Sequence, residues 1–305
     1  MEEFVEIIDA HSHLWLRQDT EVGGMPIRTL DRGRSMFFGD EVQMLPPFMI
    51  DGRNSAEVFL SNMDYARVGG AVVVQEFIDG LQNDYLAEVK RTYPDRFKVC
   101  FMCRWDEDGF LPDALKCMET GLYAGAAIPG HRLGRPLDGA EFLKMYAEME
   151  RRGLYLSLCL HESNRQLREV EHIVSEFPDL KIAVGHFGMA PLKGWQDQIR
   201  LALHPNVYIE SGGITWLYNS EFYPYPSAVK AIREAAGLVG MDKLMWGSDY
   251  PRTITAITYR MSYDFILKSP LLSEREKRAF LGGNARKFFG FGPLPELPYI
   301  KNMSE

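Results

Sequence analysis

VEIIDAHSHLW, residues 5–15, is a short apolar run that closes on an i,i+2 histidine pair, and its reading decides the fold. VEIIDA (5–10) reads as a strand. Successive side chains of a strand alternate between its faces, so His11 and His13 share one face. The same arrangement, a β-rich run followed at once by a residue able to carry chemistry, recurs along the chain. GAVVVQ (70–75) precedes Glu76, YLSLCL (155–160) precedes His161, KIAVG (181–185) precedes His186, and KLMWG (243–247) stands just before Asp249. FKVCFM (97–102), YAGAAI (123–128) and VYIES (207–211) complete eight strand candidates.

Between these runs lie helical patterns. In NRQLREVEHIVSEF (164–177), Leu167, Val170, Ile173 and Val174 recur at helical spacing among charged residues. Strands that are apolar throughout, each followed by a helix, imply parallel pairing with right-handed crossovers and both sheet faces covered. The expected fold is α/β, a single (β/α)8 TIM barrel over residues 1–305, with an open doubly wound sheet as the alternative. Residues 14–54 lack periodicity and read as a long excursion after strand 1, a lid over one face. GITWLYNSEFYPYPSA (213–228) also breaks the rhythm, and the Pro-rich tail 291–305 is expected to pack along the outside.

The 305 residues suffice for one large barrel. Hydrophobic residues make up 46% and charged residues 25%, the balance of a soluble globular protein. The formal charge of −8 argues against nucleic-acid binding, which needs a basic stripe. No basic leader, polybasic amphipathic segment or membrane-length apolar run is visible, so no membrane partner is expected. Four cysteines do not make a disulfide scaffold, which points to a reducing cytoplasm. Cys100 and Cys103 form a CxxC within an expected strand, where i and i+3 face opposite sides. All four cysteines are therefore read as core.

The chemistry gathers at the carboxyl ends of the strands, the face on which barrel enzymes assemble their sites. His11, His13, His161, His186, Asp249 and Glu76 all fall there, which scattered core residues would have no reason to do. Two converging imidazoles are a natural start for a divalent metal site. PGHRLGR (129–135) adds His131, Arg132 and Arg135 after the fourth strand; guanidinium donors there could hold a substrate, or simply pair with surface acids. His172 is read as a solvated helix residue, and His204 as a capping or packing residue.

DAHSHLW (9–15), VVVQEFIDGLQNDYL (72–86), LHESN (160–164), VGHFG (184–188) and WGSDYP (246–251) resemble successive motifs of the amidohydrolase superfamily. More narrowly they resemble its amidohydrolase-2 branch, from about residue 7 to NARKFFG (284–290). Within the branch, the first two segments are most like the sugar-lactonase and pyrone dicarboxylate lactonase group. Ile128–Pro129 stands where metal-rich members carry a lysine, which implies at most one metal. The resemblance implies one divalent ion, zinc or manganese, held by His11, His13, His161 and Asp249, or no metal at all, as in some lactonases of the group.

Two activities fit these residues. The first is a hydrolase opening a sugar lactone or a carboxylated lactone, which would place it in carbohydrate metabolism. Asp249 would take a proton from water and return it to the leaving alkoxide, with His186 as hydrogen-bond donor to the substrate. The second is a metal-dependent decarboxylase of an aromatic or muconate-type acid on the same scaffold. Glu76, His131, Arg132, Trp216 and Tyr218 favour a polar substrate pocket and hence the first, while Trp15 serves either. A small-molecule substrate is expected, and a homo-oligomer is compatible with the sequence.

Overall fold

Eight parallel strands form a nearly closed barrel with flanking helices, in the computed structural model, which describes residues 5–161 and 164–303. In chain order the strands are β1 (Ile8–Ser12), β2 (Asp19–Val22), β3 (Met25–Thr29), β4 (Arg34–Phe37), β5 (Asp40–Gln43), β6 (Gly70–Val73), β7 (Phe97–Phe101), β8 (Gly125–Pro129), β9 (Tyr155–Cys159), β10 (Lys181–Val184), β11 (Val207–Glu210) and β12 (Leu244–Met245). The barrel order is β1-β6-β7-β8-β9-β10-β11-β12, so every expected strand is present and pairs with its neighbour in sequence. Helices α1 (Ala56–Ala66), α2 (Asn83–Thr92), α3 (Leu111–Glu119), α4 (Ala140–Arg152), α5 (Asn164–Glu176), α6 (Trp195–Arg200), α7 (Ile214–Leu217) and α8 (Pro226–Val239) flank it. They are followed by α9 (Met261–Leu267), α10 (Glu274–Arg278) and α11 (Asn284–Phe289).

The first strand closes onto the last by single hydrogen bonds rather than a regular ladder. Ala10 N–H donates to Trp246 O at 2.9 Å, Asp249 N–H to His11 O at 2.9 Å, and His13 N–H to Tyr250 O at 2.7 Å. This seam sets the histidine pair beside the segment carrying Asp249.

Strand alternation sorts the apolar residues into two cores. Ala71, Val73, Leu156, Leu158, Ile182, Val184, Val207 and Ile209 face outward into the helix layer. Ile8, Ala10, Val72, Val74, Ala127, Ala183, Tyr208 and Met245 face inward. Phe288, Phe289 and Phe291 pack with this inner set against Tyr155, the first residue of β9, and Phe291 closes on Gly70 at the start of β6. The C-terminal aromatics thus plug the barrel at the amino ends of its strands, and the tail runs on outside, where Arg67 Nε donates to Leu297 O at 3.2 Å.

The excursion after β1 is more regular than its composition suggests. Residues 19–43 form a four-stranded antiparallel sheet, β2-β3-β4-β5. Gly23–Gly24 and Phe38–Gly39 all have positive φ, the conformation that tight two-residue hairpins require. The CxxC also differs from expectation. β7 ends at Phe101, so Cys103 has left the strand; it is buried against Cys117, while Cys100 is inside the barrel. All four thiols are free. Cys117 and Cys159 are only partly buried, because the first edges an outer groove and the second lines the cavity described below.

Gly125 opens β8 where a Cβ would stand 2.2 Å from the carbonyl oxygen of Tyr155, whereas a Cβ at Gly237 in α8 meets nothing. Gly125→Ala should destabilise the fold by about 1–3 kcal/mol, through overpacking. Gly237→Ala should stabilise it by about 0.5–1 kcal/mol. Urea unfolding midpoints of the two variants check this ordering.

Candidate active site

A slip in β1 aims the histidines. Ile7 packs outside the barrel and Ile8 and Ala10 inside, so plain alternation would turn His11 outward. The register between β1 and β6 shifts between Asp9 and Ser12, and His11 and His13 both enter the lumen above Ala10. Bulges of this kind re-aim side chains next to active sites. Asp9 is left fully buried behind the seam. Its Oδ1 accepts from Ser248 N–H at 2.8 Å and His11 N–H at 3.1 Å, and its Oδ2 from the Tyr259 hydroxyl at 2.7 Å and from Ser248 Oγ. Burial pushes its carboxyl up to about 6 despite these donors.

Two carboxylates orient the imidazoles. His11 Nδ1 lies 2.7 Å from Glu210 Oε1, and His13 Nδ1 lies 2.7 Å from Asp79 Oδ2. Burial by itself lowers both imidazole pKa values, but the paired carboxylates outweigh it and raise them. With each Nδ1 proton so committed, the two Nε2 atoms face each other at 3.1 Å. Asp249 Oδ1 completes the triangle, 3.3 Å from His13 Nε2 and 3.6 Å from His11 Nε2. Two imidazole Nε2 atoms and a carboxylate oxygen at this spacing repel unless a proton or a metal cation lies among them. For tetrahedral metal–nitrogen bonds of about 2.0–2.1 Å, ligand atoms stand about 3.3 Å apart, so the donor set fits one small divalent ion.

His186 joins the cluster: its ligand atom and those of His11 and Asp249 lie within 4.8 Å of one another. Its Nδ1 donates to Gly212 O at 2.9 Å, and since a carbonyl can only accept, neutral His186 keeps its lone pair at Nε2. Burial and the neighbouring His11 lower its pKa, which favours that neutral ring. Asp249 is held by a second bond, Trp216 Nε1–H to Oδ2 at 2.7 Å. Burial would raise its carboxyl, but the His13 hydrogen bond and the surrounding imidazoles hold it below the usual carboxylate range. His186 and Asp249 have φ of 54° and 56°, a conformation costing a non-glycine residue about 1–3 kcal/mol and concentrated at functional sites.

The cluster forms the floor of a cavity of about 420 Å³. Glu76, His131 and Arg132 line it, as do Gln75, Asp79, Ser157 and Cys159. Glu76 Oε2 accepts from Arg132 Nε at 3.0 Å, while burial raises its pKa. Burial beside Arg132 pushes His131 down to about 3, leaving a neutral ring. The excursion supplies a roof of Phe37, Val42, Gln43 and Met44, and the segment after β12 adds Arg252 and Thr255.

Three expected site residues stand elsewhere. His161 is exposed and outside the cluster, because β9 ends at Cys159: Ser157 and Cys159 still alternate into the cavity, but the chain then leaves the sheet. Its N–H donates to Gln166 Oε1 at 2.6 Å; Glu162 and Ser163 of the LHESN segment lie outside the described residues. Tyr218 is buried in the outer core rather than on the cavity wall. Trp216 grips Asp249 instead of lining the cavity. Arg135 pairs with Asp108 at the surface, and His172 and His204 pair with Asp138 and Glu171. Sequence reading did not single out Asp79, Glu210 or Arg252. Glu210 carried a usable signal, as the last residue of a strand with inward-facing parity.

Fold and site define the class, a (β/α)8 barrel enzyme built around a nitrogen–carboxylate cluster. The chain belongs to the amidohydrolase family (Amidohydro_2), whose profile matches residues 8–291. It is 28% identical over 160 residues to the uncharacterized protein y4mH of Sinorhizobium fredii; the match spans 49% of this chain and 51% of that protein, about half of each. Among solved structures, an amidohydrolase of Burkholderia multivorans with bound zinc aligns at 17% identity over 94% of this chain and 100% of that one, with TM-score 0.69. A probable 2-pyrone-4,6-dicarboxylic acid hydrolase of Acinetobacter baumannii, with citric acid bound, aligns at 18% over 94% and 100%, TM-score 0.66. The 5-carboxyvanillate decarboxylase of Sphingomonas paucimobilis gives 18% over 95% and 100%, TM-score 0.66. At these identities the likeness is one of fold.

Carboxylates behind metal-binding imidazoles fix the tautomer and raise ligand basicity. Glu210→Gln and Asp79→Asn should each weaken binding of a divalent ion by about 10–100-fold. Competition with a coloured chelator, titrated with zinc and with manganese, measures this.

Proposed function

We propose that the protein is a hydrolase that opens a lactone, either a sugar lactone or a carboxylated one, with water activated at Asp249. The observation that carries this reading is the division of labour between the two Asp249 oxygens. Trp216 occupies Oδ2, which fixes the carboxylate plane and leaves Oδ1 turned to the imidazoles. A carboxylate so held, ionised and at the floor of the cavity, can accept the proton of an attacking water and return it to the departing alkoxide. Glu76, His131 and Arg132, together with Gln75 and Ser157, supply the polar wall that a hydroxylated ring needs. This polar wall supports carbohydrate-type substrates.

The proposed cofactor is one divalent ion, zinc or manganese, with His11, His13 and Asp249 as its holders. His186 suits the fourth place better than His161, since it stands within the cluster and offers a lone pair. The same tautomer makes His186 a poorer donor to the substrate than the sequence suggested. When bound, such an ion lowers the pKa of water and polarises the carbonyl. Among the described residues no helix is long and apolar enough to cross a membrane. A cytoplasmic location is proposed from the four free thiols.

The second reading is decarboxylation of an aromatic or muconate-type acid, favoured by the apolar roof of Trp15, Phe37, Val42 and Met44, which suits a flat ring. Proton release separates the two. Opening a lactone liberates an acid that loses its proton at neutral pH, whereas decarboxylation yields carbon dioxide. A panel of sugar lactones, a pyrone dicarboxylate and hydroxylated aromatic acids should show acid release from a lactone; carbon dioxide from an aromatic acid with no lactone opened would reverse the assignment. Asp249→Asn should lower kcat by about 10³-fold while the urea midpoint stays near that of the parent. Protein prepared without chelator should hold near one equivalent of metal by elemental analysis, and full activity after metal removal would assign a metal-free lactonase.

A further inference from the structure

Two arginines line the cavity, and they differ in what already holds them. Arg132 is spoken for by Glu76 at 3.0 Å, with the Phe38 ring beneath its guanidinium. Arg252 stands exposed at the mouth, with its guanidinium carbon 4.1 Å from the centroid of the Trp216 indole and no carboxylate partner among the described residues. We propose that Arg252 is the specificity-determining residue that recognises a carboxylate carried by the substrate away from its reacting carbonyl, so that the preferred substrates are anionic lactones. For what is turned over, this rests on the hydrolase reading; for what is bound, it does not.

Charge favours Arg252 as the contact for such a substrate. The acids of the cavity are already engaged, Glu76 with Arg132, Asp79 with His13, Glu210 with His11 and Asp249 with both imidazoles, so they leave the Arg252 guanidinium at the mouth free for an incoming anion. Of the two lining arginines, only Arg252 has no acid partner among the described residues. The guanidinium lies over the indole face, a contact that leaves its N–H donors available, and a guanidinium takes a carboxylate through two parallel hydrogen bonds.

Position adds a second argument. Arg252 follows Asp249 by three residues and opens the short helical turn Arg252–Thr255, pinned by Thr255 Oγ1 donating to Arg252 O at 2.8 Å. Trp216 binds both groups at once, its N–H on Asp249 Oδ2 and its face under Arg252. The anchor and the proton acceptor are thereby held one indole apart. The substrate such a pairing of anchor and proton acceptor selects is a lactone whose ring bears its carboxylate directly or one carbon removed, with the lactone carbonyl over Asp249.

The test uses matched ligands. D-glucaro-1,4-lactone differs from D-glucono-1,4-lactone by a carboxylate in place of a hydroxymethyl group, and 2-pyrone-4,6-dicarboxylate is compared with its dimethyl ester. Binding is measured by calorimetry in the Asp249→Asn background, where no turnover consumes the ligand. At least one anionic member should bind about tenfold or more tighter than its neutral partner. Arg252→Met, which keeps an apolar stem on the indole, should level that ratio, and Arg252→Lys should restore part of it. A ratio unchanged in Arg252→Met, or no preference for an anionic member in the parent, overturns the proposal; urea midpoints confirm that each variant is folded. Turnover by the protein with Asp249 intact is read separately. Carboxylate binding that depends on Arg252, without opening of any lactone, would overturn the hydrolase reading and leave the anchor standing.

Discussion

Closure of the barrel between β1 and the chain after β12 is the constraint on which the rest of the molecule depends. Three backbone hydrogen bonds cross this seam, and two of them involve the site residues themselves, Asp249 N–H to His11 O and His13 N–H to Tyr250 O. Asp9 sits behind it with both carboxylate oxygens engaged from both sides of the join, by the His11 amide on one side and by Ser248 and Tyr259 on the other. A buried carboxylate is costly unless its lone pairs are satisfied, and here they are. The seam that closes the fold is also the one that brings a histidine pair and an aspartate, more than 200 residues apart in sequence, to within one coordination radius.

The barrel interior is graded from one end to the other. At the amino ends of the strands Phe288, Phe289 and Phe291 fill it, in the middle Ala10, Ala127 and Ala183 keep it narrow, and at the carboxyl ends charge replaces apolar volume. Buried imidazoles and carboxylates are tolerable there because each has a named partner, Glu210 for His11, Asp79 for His13, Gly212 for His186 and Trp216 for Asp249. These partners act on geometry first. They turn the ring nitrogens and one carboxylate oxygen toward a common point, and only then does the electrostatics of that point become useful.

How far the sequence could be read follows from the range of the forces involved. Strand alternation is local, so all eight barrel strands and the clustering of His11, His13, His186 and Asp249 near their carboxyl ends were legible. The excursion at 14–54 was legible as an insertion but not as a sheet: its short strands are mostly exposed and lack a strong apolar alternation. His161 shows the limit of extending a strand by parity. Ser157 and Cys159 keep the alternation, but the sheet ends before it reaches His161. Tyr218 shows another limit, since a tyrosine among aromatics and prolines reads as pocket wall until packing assigns it to the outer core.

By itself the sequence determined the number and order of the barrel strands, the face on which chemistry gathers and the residue types that gather there, because period and position along a strand are properties of the local chain. Tertiary structure alone decided which of those residues meet. The slip between Asp9 and Ser12 turns His11 and His13 inward, and that slip exists only in the register of β1 against β6. Glu210, Asp79, Trp216 and Arg252 take their roles from neighbours distant in sequence, whose approach is fixed by barrel closure and by the loops above it. Hydrogen bonds and ion pairs act over a few ångströms in space, and no local pattern encodes which distant residues will come that close.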